Sequence, residues 1–226
     1  MCNKWPIVQA KLEHVPDIMQ LYESLSVRNE RDIASYRNGG ILKTPSLSLI
    51  EAAVIDNNNY FRVVLSGSDV VGLIFGQLSY QPEHIFWKRF ERPGTWSHMK
   101  ESYQEAVREN AIAYGADIMI DPNYQRTKIG VVLYQGYLNA LCERRISKML
   151  FMIEHVIAVS VGSCMKKNLN VRNLASVAFH KKLQSKVVKW LQDEFEICPG
   201  FVICRKCEYH LIDTKNSLDI ITKMEM

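Results

Sequence analysis

No stretch of this chain stays apolar long enough to cross a bilayer. The most apolar run, residues 149–161, is shorter than the roughly 20 residues a helical span needs, and it carries Glu154 and His155. The opening residues, Met1-Cys-Asn-Lys-Trp-Pro6, lack the apolar core of a secretory signal. The phosphate-cradling patterns G-x-x-x-x-G-K-[ST] and G-x-G-x-x-G are both absent, which excludes a P-loop and a dinucleotide fingerprint. Internal repeats, low-complexity runs and interdomain linkers are missing too. The cysteines at 2, 142, 164, 198, 204 and 207 are scattered, as free thiols of a reducing compartment are. These features lead us to expect a cytoplasmic chain with no membrane association. Its 226 residues read as one domain over 1–215 followed by a short tail, 216–226, that frays.

What is present is ordinary in amount and uneven in placement. Hydrophobic residues make up 47% of the chain, enough for a real core. The net charge is only +4, yet from Arg144 to Lys189 ten Lys or Arg stand against one acid, Glu154. A solvated basic face accounts for that. Nucleic-acid binding is disfavoured, since no stacking motif or recognition helix accompanies the charge. An anionic partner carrying several phosphates explains it through electrostatic attraction.

The pattern after residue 117 organises the rest. Residues 117–121 alternate like a half-buried strand, and Pro122 stops it. Asn123 to Lys128 is a polar, basic loop. From Gly130 the period changes: Val131, Tyr134, Leu138, Leu141 and Cys142 share a helical face ending near Arg145. Residues 149–156 form a second, buried strand. Strand, turn, helix and strand imply a parallel pair with a crossover helix. The unpaired N–H groups at such a helix start, with the helix dipole, suit a phosphate.

The remaining elements follow in order. We expect a short strand at 7–10, a helix over 14–26, a polar loop over 28–42, and a helix over 46–55 begun by Thr44-Pro45 or a Ser48/Glu51 capping box. A β-hairpin spans 60–65 and 70–78. An irregular, aromatic segment over 80–96 holds Phe86, Trp87, Phe90 and Trp96. A helix over 97–114 completes this insertion. The aromatics pin the extra helix to the body, line an acceptor lid, or make a homodimer contact. After residue 156 a loop runs through 160–163 and 166–168, and a helix starts at Asn173. It ends near Leu183 before a strand over 186–192, or continues to Phe195. The last strand is 201–212.

Gln125-Arg-Thr-Lys-Ile-Gly130, after a strand ending in Asp-Pro, resembles Q/R-x-x-G-x-G/A, motif A of the GCN5-related N-acetyltransferase (GNAT) superfamily. Asn173-Leu-Ala-Ser-Val-Ala-Phe-His-Lys-Lys-Leu183 resembles its downstream N-x-x-A-x-x-x-Y-x-K-L. The resemblance covers roughly residues 7–212. It implies an α/β (α+β) fold: a mixed six- to seven-stranded sheet, helices on both faces, and here an inserted helical segment at 80–115. It implies acetyl-CoA, or another acyl-CoA, as cosubstrate. Ile118, Met119 and Ile120 would pair with the pantetheine arm. Gln125, Arg126, Thr127, Lys128, Ile129 and Gly130 would hold the pyrophosphate, with Asn173 and Lys182 as further contacts. It implies direct attack by an amine acceptor, a small molecule or a protein. The same fold used only to bind an acyl-CoA or a partner is the alternative.

Two departures stand out. Lys128 replaces the first glycine of motif A, and His180 replaces the common tyrosine. His180 is the candidate acid for the departing thiolate, its pKa expected to be lowered by Lys181 and Lys182. Glu154 and His155, adjacent on opposite faces of a strand, are candidates for accepting the amine proton. Asp117 and Asp121 are weaker ones. No metal is expected: Cys204 and Cys207, three apart in a strand, point to opposite faces.

Overall fold

A computed structural model describes residues 5–28, 32–36, 40–42, 44–161, 165–198 and 201–225. In chain order the strands are β1 (Ile7–Gln9), β2 (Asn59–Ser66), β3 (Asp69–Gln77), β4 (Thr95–Trp96), β5 (Ile112–Ile120), β6 (Lys148–Val161), β7 (Met165–Arg172), β8 (Lys186–Cys198) and β9 (Phe201–Asp213). The helices are α1 (Val15–Leu25), α2 (Ile33–Tyr36), α3 (Leu47–Ile55), α4 (Ile85–Glu91), α5 (Lys100–Arg108), α6 (Ile129–Glu143), α7 (Leu174–Lys182) and α8 (Thr214–Glu225). The strands make one mixed sheet in the order β1-β2-β3-β5-β6-β9-β8-β4, with β7 also paired to β6. Two more strands than the six or seven expected come from β4 and β7.

Side-chain alternation divides the sheet into two faces. On the first, α6 packs through Leu133, Tyr134, Tyr137, Leu138 and Leu141 over Ala113, Met149, Phe151 and Ile153. On the second, α1 buries Ile18, Leu21, Tyr22 and Leu25 against Phe61, Leu73, Phe75 and Met119. Pro16 opens α1, where a missing N–H costs nothing. Ser46, rather than Thr44 or Ser48, caps α3 by accepting from the Leu49 amide.

The inserted segment differs most from its sequence reading. Residues 80–96 are not irregular: they hold α4 and β4, and α5 ends at Arg108, so β5 begins five residues before the expected strand. β4 pairs antiparallel with β8 at the far edge of the sheet from β1, so the insertion crosses the second face. Trp87 and Phe90 are fully buried there, packed around Tyr114, Tyr209 and Leu191. A side chain at Gly94 would meet the Trp190 carbonyl at 2.4 Å, which is why the strand pair needs glycine.

Two further expectations are corrected. Of the stretch placed in a loop after residue 156, residues 157–161 continue β6 and 165–172 form β7, while 162–164 lie outside the described residues. Residues 214–225 do not fray. They form α8, which packs on α6, burying Ile221 and closing Ser217 onto the Leu183 carbonyl. The helix from Asn173 ends before Leu183, and β8 begins at Lys186, the first of the two alternatives.

Candidate active site

β5 and β6 pair in parallel only from Ile112↔Lys148 to Gly115↔Phe151. Beyond that, β5 stays bonded to β3 and β6 to β9, and the two diverge. Ala116 has no partner in the β3 register, a bulge that turns β5 where the strands part. Residues 115–118 are half-exposed although their strand is central. From His155 onward β7 takes the edge of β6 that β5 has left. The result is a wedge with its vertex at Gly115 and Phe151. It is bounded by β5 on one side and on the other by residues 152–154 of β6, which pair with β9 but have no strand partner on the edge facing β5. Tyr36 of α2 donates its hydroxyl to the Glu154 carbonyl in that stretch at 2.8 Å.

At the open end of the wedge the chain turns into α6. Asp121 accepts from the Asn123 amide, Thr127 donates to the Tyr124 carbonyl at 2.5 Å, and the Gln125 amide reaches the Ile120 carbonyl at 3.4 Å. Arg126 and Lys128 both take φ +65°. For a side-chain-bearing residue this costs roughly 1–2 kcal/mol, so the turn is held in shape against its own preference. Lys128, standing where motif A has glycine, adopts the glycine conformation. The N-cap residue of α6, Lys128, gives no side-chain cap, unlike Ser46 of α3 and Asn173 of α7, which leaves the first amides of α6 suited to an anion. Gly130 lets the helix approach β5: a Cβ there would lie 3.0 Å from the Ile120 side chain.

On the first face, His180 of α7 lies flat on Phe151, with ring centroids 3.8 Å apart and planes at 20°. Its Nδ1 is 2.9 Å from the Ser176 carbonyl, and its Nε2 is 3.4 Å from the Tyr134 hydroxyl. Burial drives its pKa down to about 3, with a smaller push from His210. Lys181 and Lys182, expected to lower it, are exposed in the last turn of α7, and burial is the main cause. The structure therefore holds a neutral imidazole. His155, also buried on this face, has Nε2 3.1 Å from Glu208.

On the second face, Glu154 is bound to Arg205 and lies 3.5 Å from Arg89. Both arginines also meet Asp193, Arg205 at 2.7 Å and Arg89 at 3.2 Å. Asp117, on the half-exposed part of β5, accepts from the Tyr22 hydroxyl at 2.7 Å. Burial raises its pKa, the Tyr22 bond lowers it, and the Glu154 charge raises it, with a net upward shift. The sheet thus separates His180 and His155 from Glu154.

No protein-family model and no curated protein matches the sequence. Solved structures do match its fold. An N-acetyltransferase from Staphylococcus aureus Mu50 superposes with a TM-score of 0.57 at 15% identity, over 94% of this chain and 99% of that one. The ribosomal-protein-S18-alanine N-acetyltransferase from Escherichia coli gives 0.55 at 10% identity, over 93% and 94%. An acetyltransferase of the GNAT family from Staphylococcus aureus Mu50 gives 0.51 at 10%, over 93% and 99%. This chain has the GNAT fold.

Within the GNAT fold, two of the segments singled out by motif border the wedge. Ile118, Met119 and Ile120 lie on the diverging half of β5, and residues 125–130 form the turn into α6. Asn173 caps α7, its carbonyl oxygen accepting from the Ser176 amide at 3.0 Å and its amide reaching the Gly40 carbonyl at 3.4 Å. Lys182 sits at the other end of α7, about 13 Å along the helix from Asn173. Sequence reading underrated Asp117, whose partner Tyr22 is 95 residues away. It missed Tyr134 as anything but core, and it missed Arg89 and Arg205, whose meeting with Glu154 has no local signature. Among the described residues no cluster suited to a metal ion occurs, and no helix is long and apolar enough to span a membrane.

Proposed function

We propose that this chain transfers an acetyl or related acyl group from an acyl-CoA to an amine. The single observation that carries the reading is the wedge between β5 and β6, open beside an uncapped helix start. Elongated ligands with an anionic end fit this combination: polar backbone edges for an amide-bearing arm, free amides for phosphate. The exposed Arg126 and Lys128 add positive charge beside those amides. Acyl-CoA, when bound, supplies an activated thioester, and the protein supplies position and proton handling.

In this reading the backbone of Ile118, Met119 and Ile120 orients the arm. Residues Gln125 to Gly130, with the first turn of α6, hold the pyrophosphate. Asn173 fixes the start of α7 alongside, and Lys182 offers charge at the far end of that helix. The amine approaches from the second face, where Asp117 accepts its proton. The upward-shifted carboxyl of Asp117 is better matched to that task than an ordinary one. Glu154, tied by two arginines, sets the field around Asp117. His155 stays beside Glu208 on the first face, away from the amine.

Acetyl-CoA thermal shift, followed by turnover on a panel of amines, tests the reading. We expect stabilisation by ligand linkage and a kcat that falls in Asp117→Asn. A shift without turnover on small, peptide or N-terminal amines would favour a binding module. No shift far above micromolar acetyl-CoA, in folded and ligand-free protein, would end the acyl-CoA reading.

A further inference from the structure

The acyl-transfer reading accounts for the open end of the wedge and for the second face, but leaves the hydroxyl of Tyr134 unused. Resting on that reading, we propose that Tyr134 of α6 donates a hydrogen bond to the thiolate that leaves during transfer, with His180 as its positioning residue.

The tautomer of His180 follows from its neighbours. Nδ1 lies 2.9 Å from the Ser176 carbonyl, which only accepts, and 3.2 Å from the Ser176 hydroxyl, which can accept as well, so Nδ1 carries the proton. The ring is buried and neutral, so Nε2 is bare. It has no hydrogen to give a sulfur; it accepts one. The donor facing it is the Tyr134 hydroxyl at 3.4 Å, longer than a strong bond of this type. Little is lost when that hydroxyl turns to a better acceptor. His180 thus keeps the hydroxyl pointed inward while no sulfur is there.

The placement suits the task. Gly130 faces β5, where a Cβ on it would lie 3.0 Å from Ile120 and 3.9 Å from Ile118. Tyr134 lies one turn further along α6, about 6 Å. The helix returns along β5, so 6 Å leads from Ile118 back to Ala116, at the vertex. His180 reaches the same point by stacking on Phe151, the last residue paired with β5. Phe179 packs edge-on against Tyr134, and Phe151 separates His180 from His210. Tyr134's surroundings here are aromatic rings and a neutral imidazole. A sulfur gaining charge in such a place depends on an oriented donor, and dipoles act strongly where water is excluded.

The hydroxyl donates a hydrogen bond and keeps its proton. Burial pushes the Tyr134 pKa well above a phenol's usual value of about 10, and a free thiol ionises near 8.5, so handing the proton over would run uphill. In the step, the amine nitrogen forms a bond to the acyl carbon and the carbon–sulfur bond breaks. The electron pair stays on sulfur, and the amine proton passes to Asp117.

The test uses CoA itself and the full chain. Thiolate absorbance of bound CoA, taken as a difference from the desulfo-CoA complex, gives the thiol pKa in place. In the wild type we expect it below the free value of about 8.5. Tyr134→Phe, which keeps the ring, should raise it by about one unit, a tenfold change in ionisation. With acetyl-CoA, Tyr134→Phe should lower kcat by about 10²-fold and leave the acetyl-CoA KM nearly unchanged. Tyr134→Phe/His180→Tyr, which returns a hydroxyl from α7, should recover most of that loss; a purely packing role for Tyr134 gives no such recovery. CoA bound with the same thiol pKa in wild type and Tyr134→Phe would overturn the proposal while leaving the acyl-CoA reading intact. CoA that does not bind the wild type would overturn both.

Discussion

The two faces of the sheet meet the wedge in opposite ways. On the α6 and α7 side the groups at the vertex are neutral: Tyr134, His180 and Phe151. On the α1 and α4 side they are charged: Asp117 near a network of Glu154, Arg205, Asp193 and Arg89. The difference follows from who supplies the residues. The neutral side takes Tyr134 and His180 from two helices, each begun by a short sequence motif, and Phe151 from β6. The charged side is assembled from β5, β6, β8, β9 and the insertion, so no local stretch encodes it. In the proposed reaction the sides also divide the work, with the leaving sulfur on one and the amine proton on the other.

Removing a charge should therefore cost far more on one side than removing a polar atom on the other. Arg205→Met takes from Glu154 and Asp193, both largely buried, their shortest ion-pair partner, leaving Arg89 to serve the two, and should destabilise by about 3 kcal/mol in urea unfolding. Tyr134→Phe should cost no more than about 1 kcal/mol. Equal losses would erase the contrast.

His180 sharpens it through pH. Its folded pKa is about 3, against about 6.5 when unfolded. Between those values the unfolded chain binds the extra proton, so stability falls as pH drops. From pH 7 to 5 the wild type should lose about 2 kcal/mol on this account, and His180→Phe should lose correspondingly less. An unchanged slope in the variant would mean that His180 is not held neutral.

The smallest effect concerns the turn both sides share. Lys128→Gly relieves the positive φ and should stabilise by about 1 kcal/mol. Destabilisation instead would show that contacts of the Lys128 side chain outweigh the strain.

Much of this was legible in the sequence because it is local. The period change at Gly130, the stop at Pro122, and the N-cap at Asn173 each rest on neighbours in the chain. What was not legible depends on distance. The exposed tail became α8 because its apolar face finds α6, more than 70 residues back. The insertion read as irregular because α4 is only seven residues long, below what periodicity resolves, and β4 is two. His180 read as a charged-neighbour case because sequence shows Lys181 and Lys182 but not the burial that outweighs them.

Amide hydrogen exchange with and without acetyl-CoA tests the central claim most directly. If the wedge holds the arm and the α6 start holds the pyrophosphate, ligand should slow exchange in residues 116–120 and 128–131. Amides of β1 and β2, away from the wedge, should be unaffected. Acetyl-CoA that binds yet leaves 116–120 and 128–131 exchanging as before would contradict the account.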